Sequence, residues 1–279
     1  MVLVFFDYLA AVICTIVTSI FANIIHNWYD FYIPILLLIA FLLGWFAFSL
    51  MCVLLLALPV KIKGDYIEKP SSFYRFFFDQ TVFFLCHLGR VKVSVDNYEL
   101  IDQSKKVVVM ANHRSKFDPI VVNMKFPKLK LAWIAKRSLF KMPLVSKYMY
   151  KCGFSPLDRE NPRQAVPVFK KSAEFVKSGK LSIGIYPEGT RNTTSEPILP
   201  LKAGAMNLPL KSESDLVIIV TKNTEQIAKR WPLKSTKVKI KVCKVLKYEE
   251  YKDKSSFEID EMVYNILKEN YLGLKEYKA

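Results

Sequence analysis

The sequence predicts an α/β domain on a mixed, mostly parallel sheet flanked by helices, preceded by an N-terminal two-helix membrane hairpin. Three observations lead there. Short apolar runs alternate with helical stretches from about residue 90 onward. The first sixty residues are oily and contain no Lys or Arg. All 41 basic residues lie beyond them, with all of the 25 acidic ones except Asp7 and Asp30. The expected organisation is a membrane hairpin over 1–60, an interfacial aromatic helix over 61–90 and an α/β domain over 91–279.

Val2–Ile25 is apolar apart from Asp7 and a few small polar residues, and Phe31–Val60 carries no charge. A bilayer core of about 30 Å takes roughly 20 helical residues, so both stretches are long enough to span. His26-Asn27-Trp28-Tyr29-Asp30 between them is a short connection of the polar, aromatic kind that suits an interface. The pattern disfavours a cleaved signal peptide, because no basic n-region precedes the first run and a second run follows. Lys61 and Lys63 flank the second run while the connection has no basic residue, which puts the basic part on the cytoplasmic face. Pro34, Gly44 and Pro59 bend the second stretch in a way that also suits a hairpin held in one leaflet.

Ser71–Leu88 carries Phe73, Tyr74, Phe76, Phe77, Phe78, Phe83 and Phe84, interrupted by Arg75, Asp79 and His87. At helical period this is one wide apolar face, for the domain core or for a lipid surface. Beyond it, Val91–Val95, Val107–Ala111, Leu131–Ala135, Leu181–Tyr186, Leu216–Val220 and Val238–Val245 read as strands. Pro119–Met124, Leu144–Cys152, Arg163–Ser178 and Phe257–Leu272 read as helices. Strands and helices in alternation predict the layered sheet.

A basic domain meets nucleic acid or anionic lipid. Zinc-finger spacing, an RNP-like aromatic strand and a helix-turn-helix signal are all missing, and the oily segment favours the membrane over nucleic acid. Cys14, Cys52, Cys86, Cys152 and Cys243 are scattered with no C-x-x-C pair, which reads as apolar filling and not as a disulfide frame or metal site.

In open α/β sheets, sites form where strand ends meet the loops that follow. Two strand exits are polar. The first is Asn112-His113-Arg114-Ser115-Lys116-Phe117-Asp118-Pro119. On a continuous helix, His113 and Asp118 would point about 140° apart. They meet only if a loop turns into a helix between them, which Asp at an N-cap and Pro at N1 would favour. Asp118 would then hold one imidazole nitrogen and leave the other as a base. The plainer alternative is a capping Asp and a loop His. The second exit is Tyr186-Pro187-Glu188-Gly189-Thr190-Arg191, where Pro and Gly force a turn and Arg191 suits a phosphate. Its plainer alternative is an ordinary turn with a Glu–Arg surface pair.

Together the exits resemble the glycerolipid acyltransferase family, typified by 1-acylglycerol-3-phosphate acyltransferases. Between them, Ala135-Lys136-Arg137-Ser138-Leu139-Phe140-Lys141-Met142-Pro143 and Gly153-Phe154-Ser155-Pro156-Leu157-Asp158-Arg159 are similar to that family's blocks, as is Lys202-Ala203-Gly204-Ala205 after them. The family's late strand usually carries prolines, and Leu216–Val220 has none, a departure that bears on substrate detail.

The resemblance implies acyl transfer from a thioester, acyl-CoA or acyl-carrier protein, to the sn-2 hydroxyl of lysophosphatidic acid. His113 would be the general base and Asp118 its orienting partner. Lys136, Arg191 and Arg159 would hold anionic groups, with Glu188 and Gly189 shaping the turn at the substrate. No metal or other cofactor is implied, and G-x-S-x-G is absent. The expected partners are a lysophospholipid, an anionic membrane surface and an acyl-carrier protein or coenzyme A. Another acceptor, such as glycerol phosphate, a catalytically silent lipid-binding relative, and a hydrolase are the alternatives.

Overall fold

The computed structural model describes residues 9–17, 32–62, 69–158, 161, 165–231 and 234–274, and the chain falls into two units, Met1–Lys61 and Ile62–Ala279. In the first unit residues 9–17 form a helix, α1, and Tyr32–Ala57 forms α2. Pro34 sits in the first turn of α2, where its missing N–H breaks no hydrogen bond. At 1.5 Å per residue the 26 residues of α2 measure about 39 Å. Among the described residues it is the helix long and apolar enough to cross a membrane. The rest of the first hairpin arm, and the His26–Asp30 connection, lie outside the described residues.

The second unit is built on seven strands: β1 (Val91–Asp96), β2 (Val108–Ala111), β3 (Ala132–Lys136), β4 (Ser155–Leu157), β5 (Ile183–Ile185), β6 (Leu216–Lys222) and β7 (Thr236–Leu246). Their order is β1-β7-β6-β2-β5-β3-β4, and of the six pairings only β6–β7 is antiparallel. Strands β2, β5 and β6 are buried along their whole length, which is why each reads as an unbroken apolar run. In β7 the chain alternates, with Val238, Ile240 and Val242 inward and Lys237, Lys239 and Lys241 less buried. Edge strand β4 is three residues long with Pro156 at its centre, a position that an edge tolerates.

The helices are α3 (Ser72–Leu88), α4 (Asp118–Lys125), α5 (Val145–Lys151), α6 (Ala165–Lys177), α7 (Asn207–Ser212), α8 (Gln226–Arg230), α9 (Tyr248–Tyr251) and α10 (Ser256–Gly273). Ile259, Val263, Leu267 and Tyr271 recur every four residues and bury one face of α10, which starts in a Ser255/Glu258 capping box. The aromatic helix α3, whose N-cap Ser71 accepts from the Tyr74 amide, shows both faces that its sequence allows. Arg75, Val82 and Cys86 are buried, with Arg75 donating to Asp79 and to the Leu131 carbonyl. Phe73, Phe76, Leu85 and Leu88 remain exposed. Because β2, β3, β4, β5 and β6 run the same way, their C-terminal ends open on one edge of the sheet. Both polar exits are there.

Candidate active site

His113 leaves the end of β2 on a short loop, and Asp118 is the first residue of α4. That break in backbone geometry lets two residues five apart meet, with His113 Nδ1 2.8 Å from Asp118 Oδ2. One detail differs from the sequence pattern. Asp118 is not the N-cap of α4; Phe117 occupies that position and makes no side-chain cap. Pro119 has no amide to offer in the first turn, and the Asp118 carboxylate turns back to accept from the Arg114 and Ser115 amides, each at 2.8 Å.

Asp118 is fully buried, and its other oxygen, Oδ1, accepts from the hydroxyls of Thr221 and Thr224. A carboxylate ringed by this many donors is an acceptor, so we assign the Nδ1 proton to His113, donated to Asp118, and the lone pair to Nε2. His113 stacks face to face on Tyr186, centroids 4.1 Å apart, and Tyr186 stacks in turn on Trp133 at 4.5 Å. The edge of the imidazole is held by a carboxylate and its face by a ring. Burial holds the Tyr186 phenol well above its usual range, and its hydroxyl has no hydrogen-bond partner among the described residues. Gly184 on β5 makes room for this stack, since a Cβ there would lie 2.5 Å from the Trp133 ring.

The second exit is tied directly to the first. Glu188 is 2% exposed, and its carboxylate accepts from the His113 amide at 2.6 Å and the Leu199 amide at 3.0 Å. Burial raises its pKa, outweighing the two amide bonds that lower it. Glu188 therefore holds the two exit loops together from inside. Gly189 adopts φ +71°, the left-handed turn that its sequence position demands. Asn192 donates from its amide to the His113 carbonyl at 2.7 Å.

Lys136, at the end of β3, lines a cavity of about 500 Å³ with Arg137, Ser138, Lys141, Leu157, Asp158, Gly189 and Thr190. Three cations against one carboxylate suit a doubly charged phosphate. Arg191 follows on the same loop as an exposed side chain, outside this wall. Arg159 lies outside the described residues. Among the described residues no group of three or more His, Cys, Asp or Glu side chains is placed to hold a metal ion.

Asn112 and Arg114, both within the first exit, take supporting roles that their place in the motif does not assign. The Asn112 side chain pairs with the Thr221 backbone in both directions, at 3.0 and 2.7 Å, and so fixes the end of β2 to β6. Arg114 donates to the Tyr271 hydroxyl and to the carbonyls of Asn192, Thr194 and Glu196. For Thr221 and Thr224 the hint in the sequence is polar Thr221-Lys222-Asn223-Thr224 directly after a wholly apolar run.

Residues 92–222 match a family model described as Acyltransferase. The chain is 34% identical over 124 residues to the 1-acyl-sn-glycerol-3-phosphate acyltransferase of Saccharomyces cerevisiae, covering 44% of this chain and 41% of that one. It is 27% identical over 163 residues to that of Helicobacter pylori, 58% of this chain and 68% of that one. The chain spans between 41% and 54% of the length of the first three curated relatives it matches. In fold it is similar to the crystal structure of the 1-acyl-sn-glycerophosphate acyltransferase from Thermotoga maritima, with a TM-score of 0.57 and 22% identity over 73% of this chain and 83% of that one. Both strand exits lie inside the segment, residues 92–222, that matches the acyltransferase model.

Proposed function

We propose that this protein transfers a fatty-acyl group from an acyl thioester to the sn-2 hydroxyl of lysophosphatidic acid, forming phosphatidic acid. The observation that carries the reading is the His113 Nδ1–Asp118 Oδ2 contact of 2.8 Å at the mouth of β2. It leaves Nε2 as a base at the sheet edge where the cation-lined cavity also opens.

In this reading Nε2 takes the proton of the acceptor hydroxyl as its oxygen attacks the thioester carbonyl carbon. The C–O bond forms, the C–S bond breaks, and the imidazolium returns the proton to the departing thiolate. The donor, acyl-CoA or acyl-carrier protein, is already activated, so the step uses no protein nucleophile and no resident cofactor. Lys136 and Arg191 hold the acceptor phosphate, and Arg159 is a further anion contact. Glu188 and Gly189 hold the turn beside them. Helix α2 and the exposed aromatic face of α3 keep the protein in and on the membrane, with the α/β domain at the cytoplasmic face. Glycerol phosphate or another lysophospholipid is the alternative acceptor, kept open by the proline-free β6.

The test is product formation from oleoyl-CoA and lysophosphatidic acid by the detergent-purified protein and by its His113→Ala variant. Product from the wild type alone is expected, since one general base is worth roughly 10²- to 10⁴-fold. Equal product from both removes His113 from the chemistry. Product only with glycerol phosphate reassigns the acceptor, and no product with any donor and acceptor pair supports a silent relative.

A further inference from the structure

Between β3 and α5 the chain makes a 3₁₀ turn over Arg137–Lys141 and then a tight corner at Met142–Leu144. The loop is ordered by its own backbone. The Met142 amide donates to the Leu139 carbonyl, Val145 to Pro143 at 2.7 Å, and Ser146 back to Met142 at 3.1 Å. This frame holds Leu139, Met142 and Val145 outward, 40%, 46% and 43% exposed. Lys136 and Lys141 are exposed on the same segment and line the cation-rich cavity beside it. An apolar tip flanked by two lysines, on a loop held by its own backbone hydrogen bonds at the lip of the cavity, matches the layered chemistry of an anionic bilayer. The apolar side chains suit the acyl region and the ammonium groups the phosphate level.

We propose that this β3–α5 loop is the part of the domain that dips into the lipid surface, with Leu139, Met142 and Val145 among the acyl chains and Lys136 and Lys141 at the headgroups. The inference rests on the lipid-acyltransferase reading for its purpose. It adds where the membrane meets the domain and how an acceptor enters without leaving the bilayer. The headgroup at the lysines is then already at the mouth of the cavity, and the acyl chain stays in the bilayer as the phosphate moves inward.

The test uses the full chain in vesicles containing phosphatidylglycerol, with its own five cysteines replaced and a bimane label on Met142→Cys. Nitroxide-bearing lipids are expected to quench this label several-fold more than a label on Phe257→Cys, a 70% exposed site on α10. Equal quenching at the two sites overturns the proposal. So does shielding of the 142 label from aqueous iodide by acyl-carrier protein but not by vesicles, which would make the loop a protein-docking surface. The Leu139→Ser/Met142→Ser/Val145→Ser variant supplies a second readout. Its rate on vesicle-borne lysophosphatidic acid should fall at least tenfold while its rate on a short-chain, water-soluble acceptor is kept. No loss, or equal loss on both acceptors, overturns the proposal. A wild type that turns over neither acceptor sinks the proposed function, and the quenching result still decides the loop.

Discussion

Replacing Asp118 with Asn separates the charge of the carboxylate from its shape. The carboxylate accepts on Oδ2 from His113 Nδ1 and the Arg114 and Ser115 amides, and on Oδ1 from two threonine hydroxyls. An Asn side chain keeps this geometry if its oxygen takes the Oδ2 place and its NH₂ faces Thr221 and Thr224. Hydroxyl rotors turn freely, so both threonines can accept instead of donate. The folding cost should then be about 1 kcal/mol, the scale of one altered hydrogen bond. The charge is what is lost. Unit charges about 4 Å apart interact by about 4 kcal/mol at an effective dielectric near 20, and the imidazolium that forms in the transfer step loses that partner. At about 1.36 kcal/mol per factor of ten, a loss of about 3 to 4 kcal/mol lowers kcat roughly 10²- to 10³-fold. Initial rates with oleoyl-CoA and lysophosphatidic acid, beside thermal midpoints in the same detergent, measure both effects. A fall of less than about fivefold at an unchanged midpoint would refute the electrostatic role of Asp118.

Three further outcomes are expected. Tyr186→Phe keeps the ring against His113 and removes a buried hydroxyl that has no partner, so the thermal midpoint should hold or rise and the rate should stay within about twofold; Tyr186→Leu removes the stacked face and should lower both. In Gly184→Ala the new Cβ meets three atoms of the Trp133 ring at 2.5–2.7 Å, so overpacking of about 1–3 kcal/mol should appear as a lower midpoint with altered tryptophan fluorescence, and a wild-type midpoint would contradict the packing described. Burial raises the Glu188 pKa above its ordinary 4.5, so its contribution to stability is full below that value and is lost as pH rises through the higher folded value. Wild type should therefore lose stability relative to Glu188→Gln as pH rises above that ordinary value and through the higher folded one, and a difference that stays constant with pH would show that the carboxyl titrates as it does in the unfolded chain.

Much of the sheet is readable from residue pattern. Unbroken apolar runs mark β2, β5 and β6 because both of their faces are covered, and the Lys/Val alternation marks β7 because one face is not. β4 escapes the pattern, since three residues around a proline leave too short a run to show a period. The short α8 and α9 escape for the same reason, at five and four residues. The Gly189 turn is legible, because its left-handed backbone is a local demand met by a local residue.

The His113/Asp118 pair lies between those cases. Five residues of separation are compatible with contact and with its opposite, and the outcome depends on where the loop ends and α4 begins. The sequence by itself determined the layered α/β class, the two polar strand exits and the oily-to-basic boundary near residue 60, all set by composition and short-range periodicity. Only the tertiary structure decided what surrounds the base. Thr221 and Thr224 reach Asp118 across more than a hundred residues, because β6 pairs with β2. Glu188 grips the His113 amide because β5 pairs with the other edge of β2. Strand pairing is a long-range choice made by the burial of whole faces, and no local spacing encodes which hydroxyl will end beside which carboxylate.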